Sequence, residues 1–515
     1  MKRNKVMSAG EAVAKIRDGD CLAIHSSGGG LGEPQMLLTA LRDRYRKESS
    51  PSGLTLFHTS GVGDKAGSGN DLIAIEGLIK RDIGGHWAMA PEMGKLALEE
   101  KIEAYNLPQG VMSQMYQAIA AKSPGVITKI GLNTFVDPRL EGGILNKRTT
   151  EPLVKVLELD GEEWLFYPRH HIDVCFIRGT TADEDGNIST EQEAAILDGI
   201  SVAQATRNCG GIVIAQVKYL AKRGTLKAQD VRIPGILVDC IVVDAEQKQT
   251  ADAEINPSLA GTIRIPPGQV PPLPLGERKV VARRAARELA PGAVVNLGYG
   301  MSDGVASVAA EEGVIDSITF VLEQGIVGGM PATGVIFGCS YNPDAIIDAT
   351  HQFNFFDGGG LDATFLGMAQ ADASGNVNSS KTGKLLSGCG GFINISQNAK
   401  TVVFCSTFTA KGLRVKVGDG KLAIVQEGAI KKFVNTVEQV TFSAKNAHAI
   451  KQKVLYVTER AVFRLGTSGL VLVEIAPGID LQKDVLDQME FKPEIAPDLK
   501  TMDSAIFSQA GRNGE

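Results

Sequence analysis

Apolar and polar positions alternate along this chain in two rhythms. Short apolar runs recur at "CLAIHSS" (21–27), "LTLFHTSG" (54–61), "GVITKIGL" (125–132), "VCFIRGTT" (174–181), "GGIVIAQV" (210–217) and "CIVVDA" (240–245). Between them lie stretches with helical spacing, such as "EPQMLLTALRDRYRKE" (33–48) and "MSQMYQAIAAK" (112–122). Strands alternating with helices predict an α/β fold with a largely parallel sheet. The rhythm stops at "NPSLAGTIRIPPGQVPPLPLGERK", whose prolines exclude regular structure, and resumes after it.

The resumption repeats the beginning. Near the N-terminus a helix ends at "RDGD", a strand "CLAIHSS" follows, and "GGGLGEP" opens the next helix. In the second half a helix ends at "LAPGA", the strand "VVNLG" follows, and "YGMSDG" opens a helix. A second echo pairs "DEDGNISTE" (183–191) with "DASGNVNSS" (372–380), where Asp183, Gly186 and Asn187 answer Asp372, Gly375 and Asn376. The expected architecture is therefore two open α/β domains of similar plan, 1–255 and 279–515, joined by a proline-rich linker over 256–278. Duplicated halves commonly place a site in the crevice between them.

Composition narrows the chemistry. The chain has 515 residues, too many for one hydrophobic core. A formal charge of −6 with no clustered Lys or Arg gives no footprint for nucleic acid. No run of 18 apolar residues predicts a membrane span, and the basic N-terminus lacks the apolar stretch of a signal peptide, so the cytoplasm is expected. The seven cysteines are scattered, mostly within apolar runs such as "IDVCFIRG" and "TVVFCST", and read as buried thiols. Seven histidines show no ligand spacing, and no metal is expected. His86, in "GGHW", is expected to pack on Trp87.

Glycine is the outlier at 59 residues, concentrated in short runs beside apolar segments. "SSGGGLGEP" (26–34) follows a strand and opens a helix, which suits a ligand-facing loop, although its glycines are out of register for a dinucleotide fingerprint. "LGYGMSDG" (297–304) reads the same way. "LLSGCGGFINI" (385–395) places Gly388, Gly390 and Gly391 before an expected strand, fitting either an oxyanion hole or a tight turn. The oddest stretch is "FVLEQGIVGG" (320–329), where an apolar strand ends on a lone carboxylate, Glu323, among glycines, with no Lys or Arg within ten residues. With no G-x-S-x-G nucleophile elbow elsewhere, a carboxylate nucleophile among glycine donors is the only constellation with chemical content.

These stretches together carry a resemblance. "VLEQGIVGG", "VNLGYG", "FNFFDGGGLD", "SGCGGFINI" and "VEIAPGIDLQKDVLDQM", with "HWAMAPEM", "YNLPQGV" and "TFVDPRLEGG" in the first half, resemble the family I CoA-transferases. Within them the resemblance is to the acetate/propionate CoA-transferases that carry both halves on one chain. It implies an acyl-CoA:carboxylate CoA-transferase for short-chain acids, with CoA as co-substrate, no other cofactor, and a homo-oligomer, a tetramer in that group. It further implies Glu323 as the nucleophile that becomes a glutamyl-CoA thioester, and Gly391 as an oxyanion-hole N–H beside Gly390. Asn296, with Gly298 and Gly300, matches a contact to the active carboxylate or CoA. Gln109 matches a residue near the substrate carboxylate, and Gly28, Gly29 and Gly30 match the N-terminal glycine loop. Gln324 and Ile326 depart from the pattern: the wider family reads S-E-N-G, and nearer relatives have Pro after that glycine. Two other functions fit the same residues, an acyl-CoA hydrolase and a non-catalytic sensor of CoA esters or sugar phosphates.

Overall fold

The structure, a computed structural model, describes residues 4–266 and 272–509. Residues 267–271, within the expected linker, lie outside the described residues. By their contacts the residues form two compact units. One gathers the chain up to Ile265 together with Leu322–Asn354 and Gly383–Asn394 from the second half of the sequence. The other takes the remainder.

The sheet of the first unit runs, in spatial order, Cys240–Val243, Ile212–Ala221, Val174–Asp183, Cys21–Ile24, Leu54–His58, Ile79–Gly84 and Glu103–Asn106, every neighbouring pair parallel. Val174–Asp183 is buried along its whole length, which is why its first four residues read as a continuous apolar run without alternation; the buried Arg178 that follows is paired with Glu193 (2.6 Å). Successive side chains point to opposite faces: Leu22 and Ile24 join one apolar cluster and Ala23 the other. The helix Gln35–Glu48 buries Leu37, Leu38 and Leu41, carries Arg46 and Lys47 at its negative end, and stops at Ser49 in the left-handed region.

The second unit builds its sheet in the order Thr319–Leu322, Val294–Leu297, Ala363–Gly367, Thr401–Cys405 and Lys453–Val457, all parallel, then continues antiparallel through Ala461–Gly466 and Gly469–Ile475. If Ile79–Gly84 and Glu103–Asn106 are set aside, both units place their strands in one order: second, first, third, fourth, fifth. The echoed turns are also superposable in their bonding. Asp183 Oδ1 and Oδ2 accept from Asn187 N (2.9 Å) and Nδ2 (2.9 Å), and Asp372 accepts from Asn376 N (2.9 Å) and Nδ2 (3.0 Å). Two sheets of one plan are thus present, while the compact units do not follow the bounds 1–255 and 279–515, because Leu322–Asn354 and Gly383–Asn394 join the first unit.

Two local expectations need correction. "FINI" forms the helix Phe392–Gln397 and not a strand. Its apolar residues Phe392, Ile393 and Ile395 are buried, and a short apolar run surrounded by core carries no period to separate helix from strand. Gly125–Thr128 belongs to no parallel sheet. It pairs antiparallel with Glu162–Pro168, which pairs in turn with Lys155–Leu159, a hairpin whose alternation the sequence reading passed over.

Candidate active site

In open α/β sheets ligands bind beyond the carboxyl ends of the strands, where the strand order reverses. In the first unit that reversal lies between Cys21–Ile24 and Val174–Asp183, and the segment leaving Cys21–Ile24 is the glycine loop with Gly28, Gly29 and Gly30. Gly29 has φ +76, and a Cβ there would lie 2.4 Å from the carbonyl oxygen of Val335, so only glycine fits. Gly30 approaches Ala251, whose N–H donates to Gly29 O (2.7 Å), and Gly28 faces Met89.

Two stretches from the second half of the sequence reach this edge. The first carries Glu323. The strand Thr319–Leu322 ends, Gly325 N–H donates to Leu322 O (3.0 Å), and Glu323 sits half-buried in the turn between them. Gly325, with φ +92, rests on the backbone of Ile347, whose oxygen would stand 2.1 Å from a Cβ. Beside the nucleophile candidate, Gln324 is buried and donates through Nε2 to Ser27 Oγ (3.3 Å), itself 3.1 Å from Ser60 Oγ. The turn is cemented below by a small apolar cluster that unites Leu322, Ile326, Ala332, Ile336 and Cys339 with Leu31, Ala194, Ala195, Leu197 and Leu259.

The second stretch carries Gly390 and Gly391. Ser387 O accepts from the N–H groups of Trp87 (2.8 Å) and Ala88 (3.2 Å), Gly390 N–H donates to Gly85 O (2.7 Å), and Gln109 N–H donates to Gly390 O (3.0 Å). Asn106 is the staple: its Nδ2 donates to Gly84 O (2.8 Å) and Gly85 O (2.6 Å), while its Oδ1 accepts from Cys389 N–H (2.8 Å). Gly391 is buried and immediately precedes the helix Phe392–Gln397, whose Asn394 Oδ1 accepts from Gly110 N–H (3.0 Å). Gln109 is buried at the start of the helix Gln109–Ala120, and its Oε1 would lie 3.7 Å from a Cβ on Gly390.

The structure therefore brings Gly28, Gly29, Gly30, Gln109, Glu323, Gly390 and Gly391 into the first unit. Asn296, Gly298 and Gly300 belong to the second. There Asn296 is buried mid-sheet, its Nδ2 donating to Val321 O (3.0 Å) and its Oδ1 accepting from Thr364 Oγ1 (3.3 Å), so its carboxamide ties the strands on both sides. Gly298 N–H donates to Phe365 O (2.7 Å); Gly300, at φ +98, would meet nothing within 4 Å if given a Cβ.

Several residues at the edge escaped the sequence reading. The ring 6.5 Å from Trp87 is His58, whose Nε2 lies 2.9 Å from Asp82 Oδ1 and whose Nδ1 lies 2.6 Å from Ser60 O. Both ring nitrogens face acceptors, which suits the doubly protonated imidazole. Burial opposes that charge, but Asp82 and the Ser60 carbonyl outweigh it and the His58 pKa is raised. His86, expected against Trp87, instead borders Gly61 and Gly390, and burial pushes its pKa down to about 4, so it is neutral at pH 7. Asn106 and Asn394 lie inside quoted motifs, "YNLPQGV" and "SGCGGFINI", and could have been found there. Thr59, Ser60 and Asp198 carried no sequence signal.

Known proteins give this geometry its context. The family model for coenzyme A transferase matches residues 6–244. The chain is 49% identical over 514 residues to caffeate CoA-transferase of Acetobacterium woodii, covering 98% of each. The chain belongs to the coenzyme A transferase family. This CoA-transferase is also 46% identical over 509 residues to the acetate CoA-transferase YdiF of Escherichia coli K12, covering 99% of this chain and 96% of that one. Its fold matches the crystal structure of the YdiF apoenzyme of Escherichia coli O157:H7 with a TM-score of 0.95 at 45% identity, over 98% and 96% of the two chains. The thioester complex of that protein with CoA matches with a TM-score of 0.94, over 99% and 97%. Among the described residues no helix is long and apolar enough to cross a membrane.

Proposed function

We propose that this CoA-transferase moves CoA from a short-chain acyl-CoA to a carboxylate acceptor through a thioester on Glu323, with no metal or organic cofactor beyond CoA as co-substrate. One observation carries the reading: the lone carboxylate of the Glu323 turn and the Gly390–Gly391 loop are both built onto the strand-end edge that also holds Gln109 and the glycine loop.

The chemistry follows from the residue type. The Glu323 carboxylate attacks the thioester carbonyl, the tetrahedral intermediate collapses, and CoA leaves as thiolate, giving an acyl-glutamyl anhydride. The thiolate attacks the glutamyl carbonyl and expels the first acid as carboxylate. An acceptor carboxylate then attacks the glutamyl thioester, CoA thiolate departs again, and it takes the new acyl group from the second anhydride, restoring Glu323. No water is consumed and no proton changes hands overall. A third carboxylate is a suitable carrier because its basicity matches donor and acceptor, so neither half-reaction runs steeply uphill. Each tetrahedral oxyanion needs a donor, the part assigned to the Gly391 N–H. Gln109, Gly28, Gly29 and Gly30 in this unit are assigned to binding CoA and acid.

The test is to incubate the protein with acetyl-CoA alone and map the modified peptide by mass spectrometry. CoA on Glu323, discharged by added carboxylate with formation of its CoA ester, supports the transferase. Continuous release of free CoA without adduct supports a hydrolase, and reversible binding with no covalent mass supports a sensor. The discharging panel should contain acetate, propionate and caffeate, because the two relatives above are named for different acids and Gln324 and Ile326 depart from the family pattern beside the nucleophile.

A further inference from the structure

Below the strand-end edge lies a carboxylate that the mechanism leaves idle. Asp198, the residue before the helix Gly199–Asn208, is 4% exposed. Its Oδ1 accepts from Ser113 Oγ (2.9 Å) and Thr350 Oγ1 (3.1 Å), and its Oδ2 from Thr59 Oγ1 (3.0 Å). The three hydroxyls come from three parts of the chain. Thr59 directly follows the strand Leu54–His58 and precedes Ser60, the neighbour of Ser27. Ser113 lies one turn into the helix that opens with Gln109. Thr350 lies on the stretch that passes beneath the Glu323 turn: Ala349 N–H donates to Leu197 O (3.1 Å) and Ile347 N–H to Gly325 O (2.8 Å).

Burying a carboxylate costs free energy that apolar packing at the same place would not, so its presence calls for a reason. Hydroxyl hydrogen bonds to a carboxyl oxygen are directional, and three of them converging on one group fix three segments to one point. We propose that Asp198 is a positioning residue for CoA transfer, holding the floor of the Glu323 turn, the Gln109 helix and the Thr59–Ser60 loop in one spacing. This inference rests on the reading of Glu323 as the nucleophile. Misplacing a nucleophile by about 1 Å can cost on the order of a hundredfold in rate, which sets the scale of the effect.

The variants Thr350→Val, Ser113→Ala, Asp198→Asn and Asp198→Ala should be compared in the full chain, below the melting temperature of each. The readouts are the single-turnover rate at which CoA appears on Glu323 and the KM for acetyl-CoA. Thr350→Val keeps the shape and removes one tie; it should slow adduct formation about tenfold and leave KM within about twofold. Asp198→Ala should lose at least a hundredfold. Asp198→Asn, which can still bond to hydroxyls free to turn, should recover to within a few fold of wild type. Should Asp198→Ala fail to fold, Thr350→Val decides. Variants that melt earlier yet form the adduct at the wild-type rate would reduce Asp198 to a structural residue and overturn the proposal, while Glu323→Ala, still unable to form adduct, would leave the functional reading standing. Adduct formation that survives in Glu323→Ala overturns both.

Discussion

The two stretches that reach the strand-end edge from the second half of the sequence both pack apolar side chains into that unit, and differ in the polar side chains that fasten them. The polar ties of Gly383–Asn394 are neutral amides: Asn106 Oδ1 on Cys389 N–H, backbone bonds from Trp87, Ala88 and Gln109 and to Gly85, and Asn394 under Gly110. Leu322–Asn354 is held by an apolar cluster under the turn and by the carboxylate of Asp198. A neutral network is indifferent to pH, and its strength lies in direction, which suits a loop assigned to aim an N–H. A buried carboxyl also directs the hydroxyls that bond to it, but it can gain or lose a proton. The loop for the donor is thus rigidly directed, and the turn for the nucleophile rests on a titratable anchor.

Glu323→Ala removes what the second stretch presents while sparing what fastens it. Transfer should fall by at least about 10⁴-fold, the scale of losing a covalent nucleophile, and the melting temperature should stay within a few degrees. Transfer within tenfold of wild type, a barrier change of only about 1.4 kcal/mol, would end the covalent assignment. On the other stretch, Gly391→Pro deletes a backbone donor. Losing one oxyanion donor costs on the order of 10²–10³ in rate, and Gly391→Ala, which keeps the N–H, is the control. If both variants fold and turn over normally, the donor lies elsewhere.

The amide staple is tested by charge. Asn106→Asp keeps an acceptor for Cys389 N–H but points a second oxygen at the carbonyls of Gly84 and Gly85, which then keep only their bonds from Leu107 N–H (3.4 Å) and Gly390 N–H (2.7 Å). A destabilisation of about 2–4 kcal/mol is expected from the two lost amide bonds and the buried charge set against carbonyl oxygens, measured by chemical denaturation, with transfer reduced as the Gly390–Gly391 loop loosens. An Asn106→Asp protein as stable as wild type would show that the staple contributes little.

The smallest effect is the pH dependence of the two fastenings. Burial first, and then the neighbouring Asp348, raise the pKa of Asp198; burial likewise raises that of Asp348, whose other charged neighbour is His351. A carboxyl whose folded pKa lies above its unfolded value holds its proton more tightly in the folded state. Its contribution is greatest near the ordinary carboxylate range, about pH 4, and declines as pH rises through the raised value. Hydrogen-exchange protection at Ala349, corrected for the intrinsic rate, should therefore fall between pH 5 and 8, while that at Cys389 should not. Asp198→Asn should flatten the first profile. Parallel profiles at the two amides would erase the distinction between the anchors.

Much of this was written locally. Strands such as Val174–Asp183 and helices such as Gln35–Glu48 are legible because burial on both faces leaves a continuous apolar run and burial on one face leaves a period. The duplication is legible for the same reason: Asp183 with Asn187, and Asp372 with Asn376, close their turns within five residues. Glu323 among its glycines stood out because a carboxylate without a nearby cation is locally anomalous. Where the period fails, as in the six residues of Phe392–Gln397, the sequence reading failed too.

What only the tertiary structure decided is which distant pieces share an environment. Nothing in the order of residues assigns Leu322–Asn354 and Gly383–Asn394 to the unit of Ile265 and its predecessors. Nothing local marks Asp198, whose partners stand at positions 59, 113 and 350, or Asn106, which bonds to residues 84, 85 and 389. Periodicity records whether a residue is buried. It does not record by whom, because a hydrogen bond across hundreds of residues leaves no trace on the neighbours of either partner in the chain.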